Sequence, residues 1–437
     1  MRNKVLIGLA AGAVAAAAGF VVATGTASAG STPPTAEPQI VDDSSMHAST
    51  TTVGGADVLP TTRTVAHFFA TATNPNNGVT YGYNMVGASP FTCSGSACDT
   101  TIPTDIVPLN INVGGRAFNG TDVVPAVIAS PLFANDDYAT TSASTQAPTG
   151  FTAGGPLSSG NAGVQLQDAT MRSQFNRVGN DPYHVRLGAP VVHPAITINV
   201  PANHGTLLQS GRRVVFADVN ITWFASQLNN IITSTSYIDP THLPVFVTDE
   251  VMLYIGSNPL NCCVIGFHGA SKVPGNGGGS INSNGNAVVQ TYAWGSYVTP
   301  GTFNPNSSWA LQDIHALSHE IAEWGDDPFI NNTVQPWLTP TAPQYGCTGI
   351  LETGDPVVGI GFSKGVNTFR QGPAPNGAQI ADGTFHPEDE VFLPWFMRTA
   401  PNHVSQPTQS PSTNVGRYTL MGDLNPYAGF RQPATGC

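Results

Sequence analysis

From Arg63 onward the chain alternates short apolar runs with polar, Gly- and Pro-rich breaks. Most of the runs carry the two-residue alternation or unbroken apolar character of strands. RTVAHFFATA (63–72), GVTYGYNMVG (78–87) and TIPTDIVPLNINVGG (101–115) predict strands near the start of this region. VVHPAITINV (191–200), RRVVFADVNI (212–221), LPVFVTDEVMLYIG (243–256), CVIGFHGA (263–270) and AVVQTYAWGSYVT (287–299) predict a later strand group. Three stretches have helical spacing instead. One runs over 164–178 through Leu166, Met171 and Phe175, and a second over 221–233 with Trp223, Leu228 and Ile231 inward. The third follows Ser308, a candidate N-cap, and stops at Gly325, a candidate C′ residue, with Ile314, Leu317, Ile321 and Trp324 as its apolar stripe.

Beyond Thr333 the pattern is irregular, with one aromatic patch, DEVFLPWFM (389–397). Strands mixed with a few helices predict an α+β fold: a mixed β-sheet with packed helices and a loop-rich C-terminal part. One domain over 63–437 is the first expectation, and an N-terminal β-rich subregion over 63–162 the second. The segment 141–161 reads as a loop, and SKVPGNGGGSINSNGNA as a Gly/Asn loop.

Two segments precede this region. Arg2 and Lys4, an apolar run from Val5 to Val22 and the small-residue site Ala27-Ser28-Ala29 predict a signal peptide over 1–29. A Thr/Ser/Pro-rich stretch over 30–62 predicts a disordered linker. The expected location is therefore secreted or extracellular, with no integral membrane domain after cleavage.

Charge narrows the partners. Without Arg2 and Lys4, the 15 basic residues become 13 against 27 acidic ones, which argues against nucleic acid. The six cysteines of an exported chain predict disulfides. Cys93 and Cys98 should close a local loop, and the adjacent Cys262 and Cys263 should pair with Cys347 and Cys437. No CxxC spacing, no GxSxG elbow and no P-loop ending occurs.

Charged residues make up only 10% of the chain, yet HALSHEIAEWGDDPF (315–329) gathers two His, two Glu and two Asp. On a helix, His315, His319 and Glu323 fall opposite the apolar stripe, and no Lys or Arg accompanies them. His315 and Glu323 are separated by about 12 Å of helical rise, too far to share one ion. The sharing pair is then His315 with His319, or His319 with Glu323. The second pair leaves Glu320 beside the first ligand, an HExxH arrangement with Glu in place of the second His. Asp326 and Asp327, near the helix C-terminus where the macrodipole disfavours negative charge, suit a nearby cation.

SHEIAEW resembles the active-site helix of zincin metallopeptidases in an HExxE form. SHEIAEWGDDPF, NCCVIGFHGA, LETGDP and FHPEDEVFLPWF together resemble a group of secreted bacterial proteins over about residues 63–430. A more distant likeness is to the EXORDIUM or phosphate-induced plant cell-wall proteins. The zincin resemblance implies a zincin-like fold and a divalent metal, zinc first and a harder ion second. It implies His319, Glu323 and a later residue as ligands, and Glu320 as general base. Glu352 is the candidate third ligand, with Asp355 and His315 as supporting residues. Asp326, Asp327 and His386 are rivals for the third ligand, and His386 or Tyr418 for polarising a carbonyl. The strand AVVQTYAWGSYVT is the candidate sheet edge that aligns an extended peptide or protein substrate. The implied function is a secreted metal-dependent peptidase. The alternative is a non-catalytic extracellular or cell-wall binding protein on the same scaffold, associated with the wall.

Overall fold

The computed structural model describes residues 63–138, 152–153, 162–175, 182–272, 288–303, 313–338, 347–358, 360–369, 383–399, 402–403, 416–420 and 422–423. The expected leader and linker, most of the 141–161 loop, the Gly/Asn loop, the Ser308 cap and Cys437 lie outside these residues.

Mixed strands and a few helices give an α+β architecture. Its main sheet runs, edge to edge, Val191–Val192, Thr104–Val113, Leu243–Asp249, Val289–Tyr297 and Gly266–Lys272. The three central strands are parallel, and Gly266–Lys272 closes one side antiparallel. Ile196–Asn199 and Arg116–Asn119 also pair with Thr104–Val113. Central parallel strands are covered on both faces, so LPVFVTD and VQTYAWGSY are buried at every position rather than alternately.

Helices cover both faces. The helix His315–Asp326 lays Leu317, Ile321 and Trp324 in one cluster with Val245, Val247, Ala293 and Tyr297. On the other face, Phe224 of the helix Ile221–Ser234 packs edge-on to Trp294 at 4.9 Å. Asn220 caps this second helix by accepting the Trp223 amide at 3.0 Å. Its buried stripe is Ile221, Phe224, Ala225, Leu228 and Ile232, while the expected inward residues Trp223 and Ile231 are only half-buried. The face is turned because Phe224, rather than Trp223, meets the aromatic layer of the sheet.

Two apolar runs that read as single strands are each split between sheets. LPVFVTDEVMLYIG breaks at Glu250, whose φ of 53° turns the chain from Leu243–Asp249 into Val251–Tyr254. CVIGFHGA breaks at Ile265 between Cys262–Val264 and Gly266–Lys272. Val251–Tyr254 and Cys262–Val264 belong to a second, four-stranded sheet with Gly205–Gln209 and Val215–Asn220. TIPTDIVPLNINVGG likewise divides at Pro103, where Asp99–Ile102 pairs with His184–Leu187.

Three expectations are corrected. AVVQTYAWGSYVT is an interior strand, flanked on both sides, and the edge beside it is Gly266–Lys272. Gly325 lies inside the helix rather than after it; a Cβ there would meet Gln167 Nε2 at 2.0 Å, so the glycine serves close approach. Cys262 and Cys263 are bonded to each other, not to distant cysteines. The polar face of the third helix, like its apolar stripe, is buried along its whole length. Cys93–Cys98 pairs as expected, and Cys347 is disulfide-bonded.

The paired glycines Gly266 and Gly295 seat this helix. A Cβ on Gly295 would meet Leu317 Cδ2 at 2.8 Å, and one on Gly266 would meet Glu320 Oε1 at 2.6 Å. The bare backbone therefore lets the helix settle close to the sheet, with Glu320 pressed against the edge strand.

The sheet switch at Glu250 has a pH signature. Its Oε1 accepts the Thr299 amide at 2.7 Å and the Thr302 hydroxyl at 2.9 Å. Burial, with the neighbouring Asp249 carboxylate, pushes its pKa from 4.5 up to about 7. The folded chain thus holds this proton more tightly than the unfolded one. The associated stability is full below pH 4.5 and is lost as pH rises toward 7, about 3 kcal/mol in all. Asp326, pushed up to about 7 chiefly by burial, acts in the same direction. Melting measured from pH 4.5 to 7.5 should therefore show a smaller decline for Glu250→Gln than for the wild type. Equal declines would refute the assignment.

Candidate metal centre

Within the buried helix His315–Asp326, residues one turn apart share a face, and His319 and Glu323 meet there: His319 Nε2 is 3.1 Å from Glu323 Oε2. The same nitrogen lies 3.9 Å from Asp355 Oδ1. Asp355 comes from the turn that opens the short 3-10 helix Asp355–Val357. This turn also fixes the other oxygen of Glu323, whose Oε1 accepts the Gly354 amide at 3.0 Å and the Asp355 amide at 3.4 Å. Glu323 is fully buried, and its Oε2 is the oxygen turned toward His319. His319, Glu323 and Asp355 each offer a donor atom within 4.8 Å of the others.

The reverse side of His319 is held by a carboxylate. Its Nδ1 is 3.2 Å from Glu388 Oε1, while Glu388 Oε2 pairs with His315 Nε2. Glu388 is set in place by its own amide, which donates to Ser318 Oγ at 2.9 Å. A carboxylate on one ring nitrogen fixes the tautomer and aims the other nitrogen at a ligand position. Gly354 packs against this ring: a Cβ there would lie 2.3 Å from His319 Nδ1.

On the far side of Glu323 stands His268, from the edge strand. Its Nδ1 is 3.4 Å from Glu320 Oε2 and 3.6 Å from Glu323 Oε2. His268, Glu320 and Glu323 form a second group within 4.8 Å, sharing Glu323 with the first.

The electrostatics follow from burying so many acids together. Burial alone would lower the His319 pKa, but the Glu323, Glu388 and Glu320 carboxylates outweigh it and hold it well above 6.5. Burial alone would raise Glu388, yet His315 and His319 keep it below the ordinary glutamate value. Glu390 goes the other way: burial, with Glu388, Glu323 and Asp389 nearby, lifts it well above 4.5 despite His319.

Among the sequence candidates, the structure brings His319, Glu320, Glu323 and Asp355 together. Glu352 is buried but belongs to neither donor group, whereas Asp355, the expected supporting residue, is the third member of the first group. The reason is local. The 354–355 amides turn onto Glu323, and that turn carries the Asp355 side chain toward His319 while Glu352 stays outside. His315 sits one turn away, reaching the centre only through Glu388. The rivals fall elsewhere. His386 Nδ1 is 2.8 Å from Asp313, and the Tyr418 hydroxyl donates to Thr399 O at 3.0 Å. Asp327 accepts the Asn331 and Asn332 amides, and Asp326 bonds Gln174. Both aspartates at the helix end thus accept hydrogen bonds.

His268 and Glu388 were not singled out from periodicity. Their sequence signals are a histidine within an apolar strand and an acidic run, HPEDE, in a chain poor in charge, each inside a motif that carries the resemblance to secreted bacterial proteins. No protein-family model, curated protein or solved structure matches the chain.

Gly354 has an ordinary φ of −80°, so a side chain there meets only steric resistance. Gly354→Ala should therefore destabilise the protein by about 1–3 kcal/mol through overpacking against His319. Thermal unfolding in a chelator measures this directly, and an unchanged melt would contradict the packing described.

Proposed function

We propose that the chain is an exported, metal-dependent hydrolase acting on peptide bonds, with His319, Glu323 and Asp355 holding a divalent cation. The observation that carries this reading is the convergence of the three donors while Glu388 occupies the opposite nitrogen of His319. The fully buried Glu323 Oε2, with no backbone donor and only imidazoles facing it among the described residues, suits a ligand role. One nitrogen and two carboxylates fit zinc and also admit harder ions such as manganese. The zincin-like arrangement and an export leader belong to the same proposal.

When bound, such an ion polarises a carbonyl and acidifies water. The remaining work falls to the chain. Glu320, next to His319, is the residue placed to take and return the proton of the attacking water. His268 Nδ1 faces its Oε2, and Gly266 leaves room for its Oε1. Among the described residues, Gly266–Lys272 pairs on one side only, with Val289–Tyr297. Its free edge offers main-chain groups to an extended peptide beside Glu320.

One observation favours a second reading. Every donor is at least nine-tenths buried, His319 being the most accessible at 9%. A closed site also suits an ion that stiffens a non-catalytic extracellular or cell-wall binding protein.

Elemental analysis of the purified protein should find a divalent metal that His319→Ala loses. Glu320→Gln should keep the ion held by His319 while abolishing cleavage of a broad peptide library. Glu388→Gln should weaken metal binding roughly 10–100-fold with cleavage chemistry otherwise intact. A metal-bound wild type that cleaves nothing supports the binding protein, and a chain that takes up no metal refutes both readings.

A further inference from the structure

Building on the metal reading above, we propose that the chain binds two divalent cations side by side, with Glu323 as the bridging carboxylate and His268 and Glu320 completing the second position. Donors about 2.1 Å from a tetrahedral ion lie about 3.4 Å from one another. The second group already has that spacing, with His268 Nδ1 at 3.4 Å from Glu320 Oε2 and 3.6 Å from Glu323 Oε2. The first group has His319 Nε2 at 3.1 Å from the same Glu323 oxygen. Glu323 Oε2 therefore lies between two imidazole nitrogens that approach from different chain segments, the helix and the edge strand. That atom is fully buried, and both imidazoles approach it.

Glu320, Glu323, Asp355 and Glu388 are all buried around the centre, and buried carboxylates need close partners to offset their burial.

The second ion changes what Glu320 does. It engages through Oε2, on the His268 side, while Oε1 lies against Gly266. A pair of ions held by these residues would serve to clamp both the attacked group and the attacking oxygen of a hydrolysis. The cofactor class is thus a pair of divalent ions of the zinc or manganese type.

Full-chain protein loaded with Mn2+ and dialysed free of excess decides the matter by elemental analysis and electron paramagnetic resonance. The expected result is two ions per chain with an exchange-coupled spectrum. His268→Ala should then retain one ion and show the uncoupled hyperfine pattern of an isolated ion. One uncoupled ion in the wild type overturns the two-ion centre while leaving the single-ion reading intact. No bound ion overturns both. Two coupled ions persisting in His268→Ala overturn the assignment of the second position. If that variant does not fold, as judged by its thermal melt, the wild-type stoichiometry and coupling alone decide between one ion and two.

Discussion

The carboxylate of Glu323 is the constraint around which this part of the molecule is arranged. It is fully buried, one oxygen clamped by two backbone amides and the other directed at two imidazoles. A buried charge left without partners costs several kcal/mol, so each of these elements must stay within reach of it. The helix has to sit low on the sheet, which the paired Gly266 and Gly295 permit. The turn at Gly354 has to press against the helix, and Gly354 allows that approach to His319. The segment bearing Glu388 then closes over the back of the imidazole.

Histidine–carboxylate pairs recur throughout the molecule, and comparing them separates scaffold from site. Asp105 uses one oxygen for His193 and the other for His242. Asp168 uses one for His184 and the other for the Val185 amide. Asp313 binds both the ring and the amide of His386. In these three every carboxylate oxygen is satisfied by a hydrogen bond, as structural pairs require. Glu323 differs because one oxygen is satisfied and the other is offered to two donor groups at once. The distinction lies in hydrogen-bond geometry rather than in burial or charge.

Much of the fold was legible from periodicity. The stripe Ile314, Leu317, Ile321 and Trp324 is buried as its spacing predicts, and most of the main-sheet strands fall where the apolar runs place them. Periodicity could not place the sheet switches at Glu250 and Ile265, because a buried strand looks the same in either sheet. Nor could it tell an interior strand from an edge, so the strand ending at Tyr297 looked as suitable as its neighbour. At the site, His319, Glu320 and Glu323 were legible because a helix has a fixed pitch. The choice of Asp355 over Glu352 depends on a turn whose hydrogen bonds are made to the helix itself, and no local pattern encodes that. His268 and Glu388 reach the centre through tertiary packing alone.

The donors come from the edge strand, the helix, the 354–355 turn and the segment after His386, so no short peptide contains the centre. His268 and Glu388 are 120 positions apart in the chain. Contacts of such long sequence separation form late, after the entropy of closing large loops has been met. A nascent or partly folded chain therefore displays the HExxE sequence without assembling the centre, and any activity that depends on it is timed by completion of the fold.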